Sequence, residues 1–135
     1  MKRYFHEELE DVRSNLMLMG EKSLEITNSA MKAMLEGDQV LAEKIIKSDD
    51  VINDIETQID DEVARYISLR APVARDLRLL FVAVKASHDL ERVGDEASSV
   101  AKRTIKILTE GPIGPSLGQV PKMCELAVSM LKVAL

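Results

Sequence analysis

From residue 3 to residue 110 the chain repeats apolar residues at the spacing of an α-helix face, and Gly20, Gly37, Pro72 and Gly94 are the only glycines and prolines in that span. A pattern of this length and period excludes most sheet folds, and no sustained period-two alternation competes with it. At ~100° per residue, Phe5, Leu9, Val12, Leu16, Met19, Ile26, Ala30 and Met34 share one stripe of a first helix over roughly residues 3–36. Gly37 stands where a left-handed residue would end that helix, and Asp38 where a side-chain cap would begin the next. The second stripe is Leu41, Ile45, Ile52, Ile59, Val63 and Ile67, and it stops at the Ala71-Pro72 break. Pro72 is expected in the first turn of a third helix that reaches about Glu110, with Val73, Leu77, Leu80, Val84 and Ile105 on its apolar face.

The stretch 111–118 holds three of the six glycines and two of the four prolines, so a linker is placed over residues 111–120. A partial fourth helix follows over 121–135, with Val120, Met123, Ala127, Met130, Leu131 and Ala134 at helical spacing and no cap at its end. The expected fold is all-α: an elongated antiparallel three-helix bundle over 1–110, plus the start of a fourth helix.

Composition narrows the function classes. Eighteen Lys and Arg against 23 Asp and Glu give a net charge of −5, and only 3% of residues are aromatic, with no Trp. Neither a phosphate-backbone binder nor a base-stacking platform fits that balance, so no nucleic-acid partner is expected. The single cysteine, Cys124, permits no internal disulfide and reads as a small buried hydrophobe. No apolar run approaches the ~18 residues of a spanning helix, and the charged start Lys2-Arg3 through Glu7-Glu8 leaves no signal-like segment, so a cytoplasmic protein without membrane insertion is expected.

Acidic pairs at i,i+4 occur at Glu7/Asp11, Glu21/Glu25, Asp50/Asp54, Glu56/Asp60 and Glu91/Asp95. Chance gives roughly four in such a chain, so spacing alone decides nothing. Position on the helix separates them. Around Glu56 the apolar residues Ile45, Ile52, Ile59, Val63 and Ile67 lie within roughly 60°, and Asp60 is about 40° away. Around Glu91 the third helix's apolar residues lie within about 40°, as does Asp95. The other three pairs point roughly 100° or more from their stripes and are solvated.

Carboxylates one turn apart on the inward side of a helix repel, and burying them without partners costs several kcal/mol. Three remedies offset that cost: cationic side chains such as Arg92, Lys102 or Arg103, protonation, or a multivalent cation. Were the second and third helices antiparallel neighbours, the two pairs would converge into four oxygen donors around one or two metal ions. His88, three residues before Glu91, could add a nitrogen ligand, although a surface or hydrogen-bonded histidine is the plainer reading. No Glu-x-x-His, P-loop, Rossmann fingerprint or nucleophile motif is present, which argues against a dinuclear carboxylate metalloenzyme. A metal-free scaffold with ion-paired acids is the other alternative. Arg65, Arg70, Arg75 and Arg78 flank the second turn, either as a solvated bundle end or as a hold for phosphate or an acidic partner.

The segment Leu90-Glu91-Arg92-Val93-Gly94-Asp95 resembles the "LERIGD" signature of the phosphate-transport regulator PhoU family. Ala71-Pro72-Val73-Ala74-Arg75-Asp76-Leu77-Arg78 is similar to the family's Pro-x-Ala-x-Asp-Leu-Arg segment, and Glu56-Thr57-Gln58-Ile59-Asp60 to its other E(D)xxxD motif. Phe5-His6-Glu7-Glu8-Leu9 and Met19-Gly20 are similar to first helices of that family. The resemblance implies one repeat of a two-repeat protein, here the N-terminal one, whose motifs bind iron, zinc, manganese, magnesium or similar ions through Glu56, Asp60, Glu91 and Asp95. It also implies a non-enzymatic negative regulator of the phosphate-starvation response. Its partners would be a membrane sensor histidine kinase and the ATPase of the phosphate ABC transporter. The apolar face of the unfinished fourth helix adds the expectation of a homodimer in which that helix packs on the partner or swaps.

Overall fold

The computed structural model describes the backbone of residues 2–111 and 118–135, with side chains from Glu7 onward. Phe5 and His6, and most of the expected linker at 112–117, lie outside the described side chains or residues. Five helices are described: α1 (Lys2–Glu36), α2 (Gln39–Lys47), α3 (Asp49–Arg70), α4 (Ala74–Glu110) and α5 (Val120–Ala134). No strand occurs among the described residues, and the all-α bundle is the observed architecture.

The first junction follows its local chemistry. Gly37 adopts φ +66°, the left-handed region that a residue with a Cβ enters only at a cost, and the Asp38 N–H donates to the Ala33 carbonyl at 2.9 Å. The Asp38 carboxylate then accepts from the Leu41 N–H at 3.0 Å and starts α2.

The expected second helix is divided. Ser48, at φ −91° and ψ 2°, separates α2 from α3, its N–H reaching the Lys44 and Ile45 carbonyls and its hydroxyl donating to the Ile45 carbonyl at 2.9 Å. The turn into α4 also differs from expectation. Ala71 caps α3 at φ 42°, Val73 rather than an earlier residue caps α4, and Pro72 lies ahead of the first helical turn. A left-handed alanine is strained, so Ala71→Gly is expected to stabilise the fold by about 1 kcal/mol in urea unfolding. A loss of stability would show that the Ala71 methyl contributes packing worth more than that strain.

The core is built around α1 and α4, whose contact is the most extensive in the bundle. Val12, Met19, Ile26, Ala30 and Ala33 on α1 meet Leu80, Ala83, Leu90, Ala97 and Ala101 on α4, while Ile45 on α2 and Ile52, Ile55, Ile59, Val63 and Tyr66 on α3 close the remaining side. Most of the buried face of α4 consists of small residues, including Ser87, Gly94, Ala97, Ser98, Ala101 and Thr104. Of the aliphatic stripe expected from the sequence, Leu80 is fully buried and Val84 and Ile105 pack against the core, whereas Leu77 is partly buried and Val73 is 72% exposed. Small side chains let backbones approach closely, and two hydroxyls of this face bond within the helix, Ser87 to the Val84 carbonyl and Thr104 to the Val100 carbonyl, both at 2.8 Å. Ser23 of α1 donates to the Leu90 carbonyl at 3.3 Å, while the buried Ser98 hydroxyl has no partner.

The fourth expected helix, α5, packs on α1 of the same chain rather than being left for a partner, because Cys124, Leu131 and Leu135 find an apolar seat there. Cys124 is buried, Leu131 packs against the core, and Leu135 fills the notch left by Gly20, where an added Cβ would meet its Cδ2 at 2.7 Å. The opposite face of α5, with Met123, Met130 and Val133, is exposed.

Candidate metal centre

α3 and α4 are antiparallel neighbours joined by three residues, so their registers are fixed by the turn. Ile52 stands against Gly94, where a Cβ would lie 2.9 Å from the isoleucine Cδ1, and Glu56 stands against His88. In this register the half-buried Glu56 of α3 lies near the half-buried Glu91 of α4 at the flank of the core, with the half-buried Asp60 one turn beyond Glu56 and the more exposed Asp95 one turn beyond Glu91. Glu56 and Glu91 thus come close enough for their charges to interact, and Glu91 sits at the edge of the α4 core face rather than at its centre.

The Glu56 side chain retains 15% exposure, and its Oε1 lies 2.9 Å from Nδ1 of His88, which is 52% exposed. Its second oxygen, Oε2, and Oδ1 of Asp60 are buried with no hydrogen-bond donor. Among the described residues, no Lys or Arg forms an ion pair with Glu56, Asp60, Glu91 or Asp95. Arg92, Lys102 and Arg103 point to solvent, so cationic side chains are not the remedy used here.

Glu91 shows the same unrelieved electrostatics. Burial pushes its carboxyl up to about 7, aided by a hydrogen bond to Asp95 and by the negative charges of Asp95, Glu56 and Asp49. A carboxyl that holds its proton near neutrality offsets part of the repulsion, but it leaves the two buried oxygens of Glu56 and Asp60 unsatisfied. A carboxylate oxygen without a donor in a dry environment costs roughly 1–3 kcal/mol or more, and a cation is the group that an acceptor-only atom can bind. The residues present thus fit a metal ion.

The donor atoms that lie together are those of Glu56, Asp60 and His88, all within 4.8 Å of one another. Glu91 and Asp95 form the adjoining pair. Two participants stand apart from the four acids singled out in the sequence. His88, expected as a surface or hydrogen-bonded side chain, is bonded to Glu56, and the register set by the 71–73 turn brings it there. Asp49 lies seven residues before Glu56, two turns along the same face of α3, and that spacing is the signal that could have found it. At the other end of the hairpin, Arg70 pairs with Glu8 through two contacts of 3.3 Å, so at least one of the four turn arginines ties α3 to α1.

Residues 16–104 match the PhoU domain family. The accessory protein PhoU homolog of the phosphate-specific transport system from Pseudomonas aeruginosa is 44% identical over 111 residues, covering 82% of this chain and 46% of that protein. The similarly named protein of Streptococcus pneumoniae is 32% identical over 131 residues, covering 97% of this chain and 60% of its own. The crystal structure of PhoU from Pseudomonas aeruginosa superposes with a TM-score of 0.90 at 40% identity, covering 95% of this chain and 61% of that one. The chain spans about half the length of the first of these relatives. With the fold, the acidic motifs and these likenesses in agreement, the chain belongs to the PhoU domain family.

Proposed function

We propose that the protein is an accessory regulator of phosphate transport and a negative regulator of the phosphate-starvation response, and that it acts by contact rather than by catalysis. The observation that carries this reading is the 44% identity to a protein named as an accessory of the phosphate-specific transport system. A cytoplasmic sensor-kinase domain and the transporter ATPase are the partners it would meet. No helix among the described residues is long and apolar enough to cross a membrane, and such contacts need no insertion. The exposed apolar face of α5 supports association, here read as a homodimer.

Glu56, Asp60, Glu91 and Asp95 hold a divalent or trivalent ion, of the iron, zinc, manganese or magnesium kind, as a structural or sensing element. The two donor-less carboxylate oxygens support this. Plasma mass spectrometry on the purified chain is expected to find about one or more metal ions per chain, with a melting temperature that falls on chelation. The double change Glu91→Gln with Asp95→Asn is expected to remove most of that metal while circular dichroism keeps its helical signal. Unchanged stoichiometry in the double variant would overturn the assignment of these two acids. Cross-linking of the protein to the kinase and to the ATPase from the same cells tests the regulatory reading, which fails if neither is captured.

A further inference from the structure

We propose that His88 is itself a metal ligand, joining Glu56 and Asp60 in a mixed nitrogen and oxygen site that selects borderline transition ions, zinc foremost, over magnesium. This rests on the reading that the acidic pairs hold a metal, and it adds a residue outside both acidic motifs.

Geometry carries the assignment. His88 Nδ1 lies 2.9 Å from Glu56 Oε1, and the donor atoms of His88, Glu56 and Asp60 fall within 4.8 Å of one another. Two donors bound to one ion at ~2.1 Å on adjacent positions stand roughly 3 Å apart, so the imidazole and the carboxylate already hold such a separation. The imidazole serves one oxygen of Glu56 and leaves Glu56 Oε2 and Asp60 Oδ1, both buried, without a donor. A simple His88–Glu56 ion pair does not satisfy those atoms, whereas an ion shared by the three side chains does. Half of the His88 side chain faces solvent, which supplies an entry path and room for water ligands on the outer side. His88 also stands one turn before Glu91 on α4, so the same helix face carries both a nitrogen donor and the adjoining carboxyl pair.

Ligand chemistry then sets the preference. Magnesium takes oxygen donors and keeps much of its water, so an imidazole adds little to its binding. Zinc and its neighbours bind imidazole nitrogen strongly.

Isothermal titration of the full chain, stripped of metal, with zinc and separately with magnesium tests this in the wild type, His88→Ala and His88→Gln. Circular dichroism establishes that the variants fold, as expected for a half-exposed side chain. The zinc dissociation constant is expected to rise at least about tenfold in both variants, with magnesium binding unchanged. The visible spectrum of the cobalt-loaded protein is expected to change on losing the nitrogen donor. Wild-type zinc affinity in both variants, or an equal loss for zinc and magnesium, would overturn the role of His88 while leaving the carboxylate site standing. A wild-type chain that takes up neither metal would overturn the carboxylate site and this assignment together.

Discussion

Ile59→Ala is expected to cost the bundle about 3 kcal/mol, read as a lower urea midpoint and a melting temperature lower by about 10 °C. Ile59 is fully buried, and it sits inside the Glu56-to-Asp60 motif, one residue before Asp60. Its side chain fills the space between α3 and its neighbours, so truncation leaves a cavity beneath the carboxylates as well as losing transfer energy. Ile59→Val, which removes one methyl group, should cost about 1 kcal/mol. The alanine variant should also bind metal more weakly, because Asp60 loses the packed neighbour that fixes its backbone. A loss under about 1 kcal/mol in the alanine variant would mean that the α3 face collapses around the gap, and that packing does not hold the site in place.

Stability of the metal-free chain should fall as pH rises from about 4.5 to about 7. Glu91 titrates near 7 in the fold against an ordinary value of 4.5, so between those limits the folded chain binds more protons than the unfolded one. The native state is then favoured on the acid side of the window, and the benefit is lost as pH climbs through the folded value. The groups facing Glu91 are Asp95 on its own helix and Glu56 and Asp49 on α3, all negative when ionised, with His88 beside Glu56. Screening at this partly open position reduces the effect to about 1 kcal/mol. Glu91→Gln should flatten the profile and leave the metal-free chain more stable at the alkaline end. Metal affinity should move in the opposite sense over the same window, rising with pH as the proton on Glu91 ceases to compete. Thermal melts across that range, with and without chelator, check both signs, and a metal-free stability that rises with pH would contradict the account.

Local chemistry was readable in the sequence where it was self-contained. Gly37 and Asp38 announce the α1–α2 junction because a left-handed glycine and a capping carboxylate act within a few residues. Ser48 was not legible. Ile45 and Ile52 are seven residues apart and share a face on either side of it, so the apolar pattern runs through the break without a glycine or proline to mark it. On α4 the expected Leu80, Val84 and Ile105 do reach the core, but much of the buried face is not aliphatic. Hydrophobic periodicity weights large aliphatic residues, whereas much of the buried face of α4 is Ser87, Gly94, Ala97, Ser98 and Ala101, whose contribution is close approach rather than apolar area. The acidic pairs could be ranked by their angle to a stripe because that angle depends on one helix at a time. His88 meets Glu56 only through the register between two helices, which no single stripe contains.

The connection at residues 71–73 has a topological consequence for folding and lifetime. Glu56, Asp60, His88, Glu91 and Asp95 all lie on one helical hairpin, so the site closes a loop of only about 30 residues and does not wait for α1 or α5 to dock. A ligand spanning the two arms would act as a reversible cross-link on that loop, worth a few kcal/mol of chain entropy at most. Its clearest effect would be to slow separation of the arms, so that the residence time of the ligand sets how long the hairpin stays shut.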